Sequence, residues 1–170
     1  MEKTSDEETC SIMCGSKCCR STPPALTKED FNRIQATTKE KNWFKTINEK
    51  SNIRVVSKKE NLIDCYFLSE KGLCCIYEHR PLDCKLFPLF VKIKTEGEKE
   101  YRLRWYVWYC PLTEKKGTED LLQKAKTIVH EYLVNKPEII FDYQSVMYES
   151  GGYKRKHFLK EELLIMKSND

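Results

Sequence analysis

The placement of the nine cysteines limits what this chain can fold into more than any other feature of the sequence. Eight of them fall into two groups, namely Cys10, Cys14, Cys18 and Cys19, and then Cys65, Cys74, Cys75 and Cys84. The ninth, Cys110, precedes Pro111, and no cysteine follows it. Thiolates are strong ligands of zinc and of iron–sulfur clusters. The grouping therefore predicts a metal centre to which distant parts of the chain contribute.

The compartment decides how these cysteines are interpreted. A chain of 170 residues can bury a core without covalent staples. The opening residues, MEKTSDEETC, lack the apolar core of a secretory signal, and no stretch approaches the roughly 18 apolar residues of a membrane helix. We therefore expect a cytoplasmic protein, with no membrane segment, whose cysteines serve a metal or chemistry rather than disulfides. A set of disulfides is disfavoured because the number of cysteines, nine, is odd. The combination of one metal site with one disulfide remains an alternative.

The charge balance bears on partners. The net charge is +4 and the pI about 8.5, below the pI above ~9 expected of a dedicated nucleic-acid binder. Five aromatic side chains and two arginines lie within 101–109 and could stack on bases. The same pattern fits a half-buried strand, and the small charge excess favours that interpretation. The expected partner is another protein, and the oligomeric state is left open.

Local patterns predict one α+β domain. Thr27, with Asp30 three positions later, indicates the start of a helix. Pro137 ends a long stripe of apolar residues at helical spacing. The alternation of side chains with a period of two on both sides of Gly97 indicates a hairpin. The predicted helices cover 28–36, 40–48, 118–136 and 158–166. The predicted strands cover 53–56, 62–68, 86–95 and 101–109. We expect an irregular cysteine-rich β region around the metal (1–112), with a helical C-terminal extension (113–170) packed on it.

The most specific pattern lies in residues 65–88, which we call the signature segment. Its matched positions are Cys65, Phe67, Leu68, Gly72, Cys74, Ile76, Tyr77, Arg80, Pro81, Cys84, Phe87 and Pro88. These residues resemble the YkgJ-like cysteine-cluster family, a family described as zinc- or iron-chelating and labelled by the pattern CxxCxxCC. The resemblance spans about residues 10–112 and includes the late Cys110–Pro111 pair.

The resemblance also implies a ligand set. The family has eight cysteines, which correspond here to Cys10, Cys14, Cys18, Cys19, Cys65, Cys74, Cys84 and Cys110. Cys75 occupies a position that the family leaves open, so it is the predicted spare. Residues 10–19, which we call the N-terminal cysteine segment, depart from the family because three residues rather than two separate Cys10 from Cys14 and Cys14 from Cys18.

Ligand chemistry favours iron–sulfur over zinc. Adjacent cysteines do not readily reach one tetrahedral zinc, whereas a [4Fe–4S] cube spreads its ligands, and Cys-Pro is familiar at such ligands. Cationic side chains flank the cysteines and could offset the cluster's charge; they are Lys17, Arg20, Arg80 and Lys85. We prefer one [4Fe–4S] cluster that joins both cysteine groups, with two sites and a zinc centre as alternatives.

The expected function follows from that centre. The first hypothesis is electron transfer, or an accessory role in the maturation or modification of another protein. The alternative is a zinc-stabilised interaction module without catalysis. A weaker alternative, from a resemblance to flagellin lysine N-methylases, is a cluster-assisted protein methyltransferase. No paired carboxylates, Ser/His/Asp set or phosphate-binding glycine loop is recognisable, so no catalytic residue is assigned and the question of enzyme activity is open. His79 lies inside the signature segment and is expected at the surface.

Overall fold

Two small antiparallel sheets and five α-helices make up the described part of the chain, residues 8–154 and 156–166 of a computed structural model. The strands are β1 (Ala25–Leu26), β2 (Phe44–Asn48), β3 (Ile53–Val56), β4 (Leu89–Gly97), β5 (Glu100–Val107) and β6 (His157–Ile165). The helices are α1 (Lys28–Thr37), α2 (Leu82–Leu86), α3 (Pro111–Lys116), α4 (Thr118–Asn135) and α5 (Pro137–Glu149). The predicted α+β domain is therefore confirmed. Over the same residues, no helix has both the length and the apolar character needed to cross a bilayer.

The smaller sheet has the order β1-β3-β2 and precedes the signature segment. Helix α1 begins as predicted, since Thr27 and Asp30 form a reciprocal capping box. The helix predicted over 40–48 is wrong. Phe44 pairs with Val56 in a hairpin, which leaves Trp43 fully buried. The apolar residues of this segment have helical spacing, but its pairing with strand β3 outweighed that local preference.

The larger sheet has the order β4-β5-β6, and its first two strands form the predicted hairpin, with Leu89 opposite Val107. One face of β5, formed by Leu103, Trp105 and Val107, is buried. The helix predicted over 158–166 is wrong, because this segment pairs with β5 as strand β6. Glu162 on β6 accepts a hydrogen bond from Trp105 Nε1 at 2.9 Å, which fastens the strand to the core.

The strand predicted over 62–68 is also wrong. This stretch contributes only isolated bridges, Lys58 with Cys65 and Leu68 with Cys74, and otherwise forms turns. Helix α4 confirms the prediction over 118–136 and ends at Asn135. Pro137 then occupies the first turn of α5, a helix that the sequence patterns did not predict.

The buried side chains form two clusters, and the cysteines lie where these meet. The larger cluster combines the β4–β5 hairpin with α2, α4 and α5, and Cys10 and Cys110 pack against it. The smaller one centres on Ile34 and Trp43. Cys65 belongs to it, and Cys19 and Cys74 pack against it. The division into 1–112 and 113–170 stays a prediction.

Candidate metal centre

The N-terminal cysteine segment lies directly against the signature segment. It is built from short turns, Thr9–Met13 and Lys17–Arg20, separated by Gly15 with a φ of 60°. Ser16 Oγ donates to the Gly72 carbonyl at 2.6 Å, and the Cys65 N–H donates to the Cys19 carbonyl at 2.6 Å. The two cysteine groups, far apart in sequence, are therefore neighbours in the fold.

Helix α1 braces the turn that precedes Cys84. The Asp30 carboxylate accepts from the Leu82 N–H at 3.2 Å and pairs with Arg33 at 2.6 Å. Arg33 Nη2 in turn donates to the Arg80 carbonyl at 3.1 Å. Cys84 sits at the centre of the short helix α2. Its position is thus fixed by residues that belong to neither cysteine group.

Thiols from separate stretches of chain interact electrostatically: Cys84 with Cys18, Cys65 and Cys74, and Cys65 with Cys18 and Cys74. Burial, followed by the neighbouring charges, raises the pKa of the Cys84 thiol well above its usual range. Burial raises the pKa of Cys65 to about 11. The pKa of Cys18 is also raised, first by a hydrogen bond with Cys19, whose sulfur lies 4.0 Å away. Gathering thiols in a shielded place makes their simultaneous ionisation costly, which a bound cation would offset.

Cys110 interacts electrostatically with Cys14 and Cys18 of the N-terminal cysteine segment. Burial raises the pKa of Cys110, and the next electrostatic contributions from other thiols come from Cys14 and then Cys18. Cys110 caps helix α3, where its N–H donates to Thr113 Oγ1 at 3.0 Å. Cys10 packs against the same core cluster as Cys110, and its carbonyl accepts from the Ser16 N–H at 2.9 Å.

Cys75 differs from the other eight cysteines. Its side chain is exposed, while the others are buried or half-buried. Its backbone N–H donates to the Phe67 carbonyl, and this hydrogen bond holds the Cys75 backbone against residue 67. His79 is exposed as well. The roles of the eight predicted ligands, and of Cys75 as the spare, stay predictions.

A cavity of about 150 Å³ adjoins the thiols. Its lining includes Cys10, Cys18, Cys19, Cys74 and Cys84. Two of the predicted cations, Arg80 and Lys85, also line it, and the Arg80 guanidinium stacks 3.9 Å from the Tyr77 ring centroid. A third, Arg20, pairs with Asp64 at 2.6 Å.

The donor set fits a thiolate-bound metal. All nine cysteines lie within the described residues and all are free thiols. Soft sulfur donors in this number suit zinc or an iron–sulfur cluster. Within residues 8–154 and 156–166, no three Cys, His, Asp or Glu side chains are arranged to hold a single ion. Thiols from several stretches of the described chain thus lie in one region, but no three of them surround a single position.

Fold and site together define a class: an α+β protein whose two cysteine segments meet beside a cavity. Residues 9–111 match the family model CxxCxxCC, "putative zinc- or iron-chelating domain". The match covers more than half of the chain, which therefore belongs to this family. This confirms the resemblance and supports metal binding. A search of curated proteins gave no match, and neither did a search of solved structures.

Three residues of this region were missed by sequence reasoning as contributors to the site. Asp30 and Arg33 brace the signature segment, and Lys156 lines the cavity. Asp83 also lines the cavity, and its place beside Cys84 in the signature segment makes it a candidate acid from the sequence alone. The three missed residues lie outside the signature segment, and only the tertiary fold brings them to the cysteines.

Proposed function

We propose that Cys18, Cys65, Cys74 and Cys84 hold one [4Fe–4S] cluster, and that the protein acts in electron transfer or as an accessory to the maturation or modification of another protein. The observation behind this proposal is the electrostatic interaction of Cys84 with the other three thiols, together with that of Cys65 with Cys18 and Cys74. They come from the N-terminal cysteine segment, the start and middle of the signature segment, and helix α2. A cluster would thus tie together parts of the chain up to 66 positions apart, counting from 18 to 84.

The placement of the thiols in several stretches of chain supports a cofactor larger than one ion. A single tetrahedral zinc needs its four sulfurs roughly 3.8 Å from one another, whereas a cube places them farther apart. Among the described residues, the donors share a region without any three meeting at one point. This arrangement suits ligands placed around a cube.

The surrounding charges also support an anionic cofactor. A cube with four thiolates is an anion, and Arg80 and Lys85 line the adjoining cavity. Burial lowers the pKa of Lys85, so a bound anion would favour its charged form. Positive groups beside a buried anion reduce the cost of removing it from water.

Spectroscopy on protein purified without oxygen tests this proposal. We expect a brown protein whose broad visible absorption bleaches on reduction with dithionite, together with a paramagnetic signal from the reduced cluster. A colourless protein that stays silent under both conditions after reconstitution with iron and sulfide would contradict it.

A zinc centre is the second candidate, and one observation favours it. The Cys18 and Cys19 sulfurs are 4.0 Å apart, close to the roughly 3.8 Å between two ligands of one tetrahedral zinc. In that case the protein would be a zinc-stabilised interaction module without redox chemistry. Cys19→Ala separates the candidates: it should abolish zinc binding, whereas a cluster on the four proposed thiols should persist.

A further inference from the structure

Two side chains of opposite charge line the cavity beside Cys84 without touching each other. They are Asp83, next to Cys84 in helix α2, and Lys156, which precedes strand β6. They interact electrostatically, yet they form no ion pair within 4.0 Å among the described residues. The two side chains thus line one cavity without pairing with each other.

Asp83 has an unused hydrogen-bond acceptor. Its Oδ2 accepts from the Ala25 N–H at 2.9 Å, whereas Oδ1 is buried and has no partner in the described structure. A buried carboxylate oxygen without a donor is costly and needs an explanation such as a bound group. The group that would satisfy it is a hydrogen-bond donor, best a cationic one.

The ammonium of Lys156 lacks a hydrogen-bond acceptor in the described structure. Its ammonium lies 4.1 Å from the ring centroids of both Phe90 and Trp108. Within the described residues no atom accepts a hydrogen bond from it. The two rings hold the ammonium at the wall of the cavity, where an anionic oxygen could approach it.

The rest of the wall is largely apolar. Phe87, Leu112 and Met147 line it together with the two rings beside Lys156. The cavity of about 150 Å³ is shared with the thiols, and a small ligand would occupy the part enclosed by these apolar side chains. Apolar walls with a few converging polar groups are typical of small-molecule sites.

We propose that this cavity binds a free α-amino acid with an apolar side chain, its ammonium on Asp83 and its carboxylate on Lys156. An α-amino acid carries both charges close together, and Asp83 and Lys156 line the same cavity and interact electrostatically. Because the ligand is neutral overall, its entry avoids the cost of burying a net charge. The apolar side chain would occupy the space beside Met147.

Lys156 and Met147 lie beyond residues 9–111, which match the family model. The cavity therefore joins the family's cysteine region to a wall supplied by the rest of this chain. On this view the C-terminal part determines which small molecule reaches the metal centre.

Calorimetric titration of the metal-loaded protein with L-leucine tests the proposal. We expect saturable binding of L-leucine and at least tenfold weaker binding of 4-methylpentanoate and 3-methylbutylamine, which each lack one of its charges. Asp83→Asn and Lys156→Gln should each weaken L-leucine binding about 10- to 100-fold, because each removes one charge-assisted hydrogen bond. Glu78→Gln and Lys154→Gln, which neutralise exposed neighbours of the same charge, should leave it unchanged.

The proposal is overturned if L-leucine, L-methionine and L-phenylalanine all fail to bind at about 10 mM. Titration at that concentration would detect even millimolar affinity. It is also overturned if 4-methylpentanoate binds as well as L-leucine, or if the exposed-residue variants lose binding equally. Metal content is measured on every sample. Full metal content without amino-acid binding would refute the cavity ligand alone and leave the metal centre standing.

Discussion

Replacing Asp30 with alanine removes a carboxylate that joins the start of helix α1 to the turn before Cys84. The side chain accepts from the Thr27 N–H at 3.2 Å, from Thr27 Oγ1 at 2.8 Å and from the Leu82 N–H at 3.2 Å. It also pairs with Arg33 at 2.6 Å. One buried group therefore stabilises both the helix and the backbone that positions helix α2.

The expected cost is about 3 kcal/mol. Loss of a helix cap costs about 1 kcal/mol, and loss of a hydrogen bond to a charged group about 1.5–3 kcal/mol. Breaking a fully buried ion pair would cost about 3–5 kcal/mol, which is an upper bound here because the Arg33 side chain is 25% exposed. The Leu82 N–H also loses its acceptor. With a urea dependence of about 2 kcal/mol per molar, the midpoint should fall by about 1.5 M.

Urea unfolding of the metal-free protein measures this loss without a contribution from bound metal. Glu29→Ala is the matched control. It removes a carboxylate from the same helical turn, but one that pairs with Lys136 at the surface at 3.1 Å, where about 1 kcal/mol or less is expected. A loss below about 1 kcal/mol for Asp30→Ala, or one equal to that of Glu29→Ala, would refute the bracing role.

Three further predictions concern the cysteines and their loops. The Cys84→Ala and Cys74→Ala variants should each lose most of the bound metal, while Cys75→Ala should keep it. Equal loss of metal in all three variants, measured by elemental analysis, would show that Cys75 is not the spare cysteine. Metal uptake at about pH 7 should release protons and tighten as the pH rises, because thiols such as Cys65, with its pKa of about 11, must ionise to bind. Calorimetry in buffers of different ionisation enthalpy measures this proton release, and uptake without it would contradict binding through thiolates. The Gly72→Ala variant should be less stable by about 1–2 kcal/mol, because the φ of 74° at Gly72 disfavours a Cβ. In the same urea assay Gly72→Asn should lose less stability, and equal losses would point to crowding rather than backbone strain.

The features that local chemistry determines were predictable from the sequence. The capping box of Thr27 and Asp30 marked the start of α1, and the alternation around Trp105 marked the β4–β5 hairpin. In both cases the signal lay within a short stretch of chain. The contact between the two cysteine groups was predicted differently, from the preference for one cluster that joins them.

The features that failed depend on distant partners. Residues 40–48 and 158–166 have helical spacing, yet β2 and β6 form because β3 and β5 offer open edges. In the same way, Lys156 reaches the cavity only because β6 joins the larger sheet. Local periodicity does not contain such pairings, since they are decided by the packing of the whole fold.

The central claim is that the gathered thiols hold an iron–sulfur cluster. The most direct measurement is the iron, acid-labile sulfide and zinc content of the chain purified under anaerobic conditions. We expect about four iron and four sulfide per chain, lost together in Cys84→Ala. One zinc per chain with neither iron nor sulfide would contradict it.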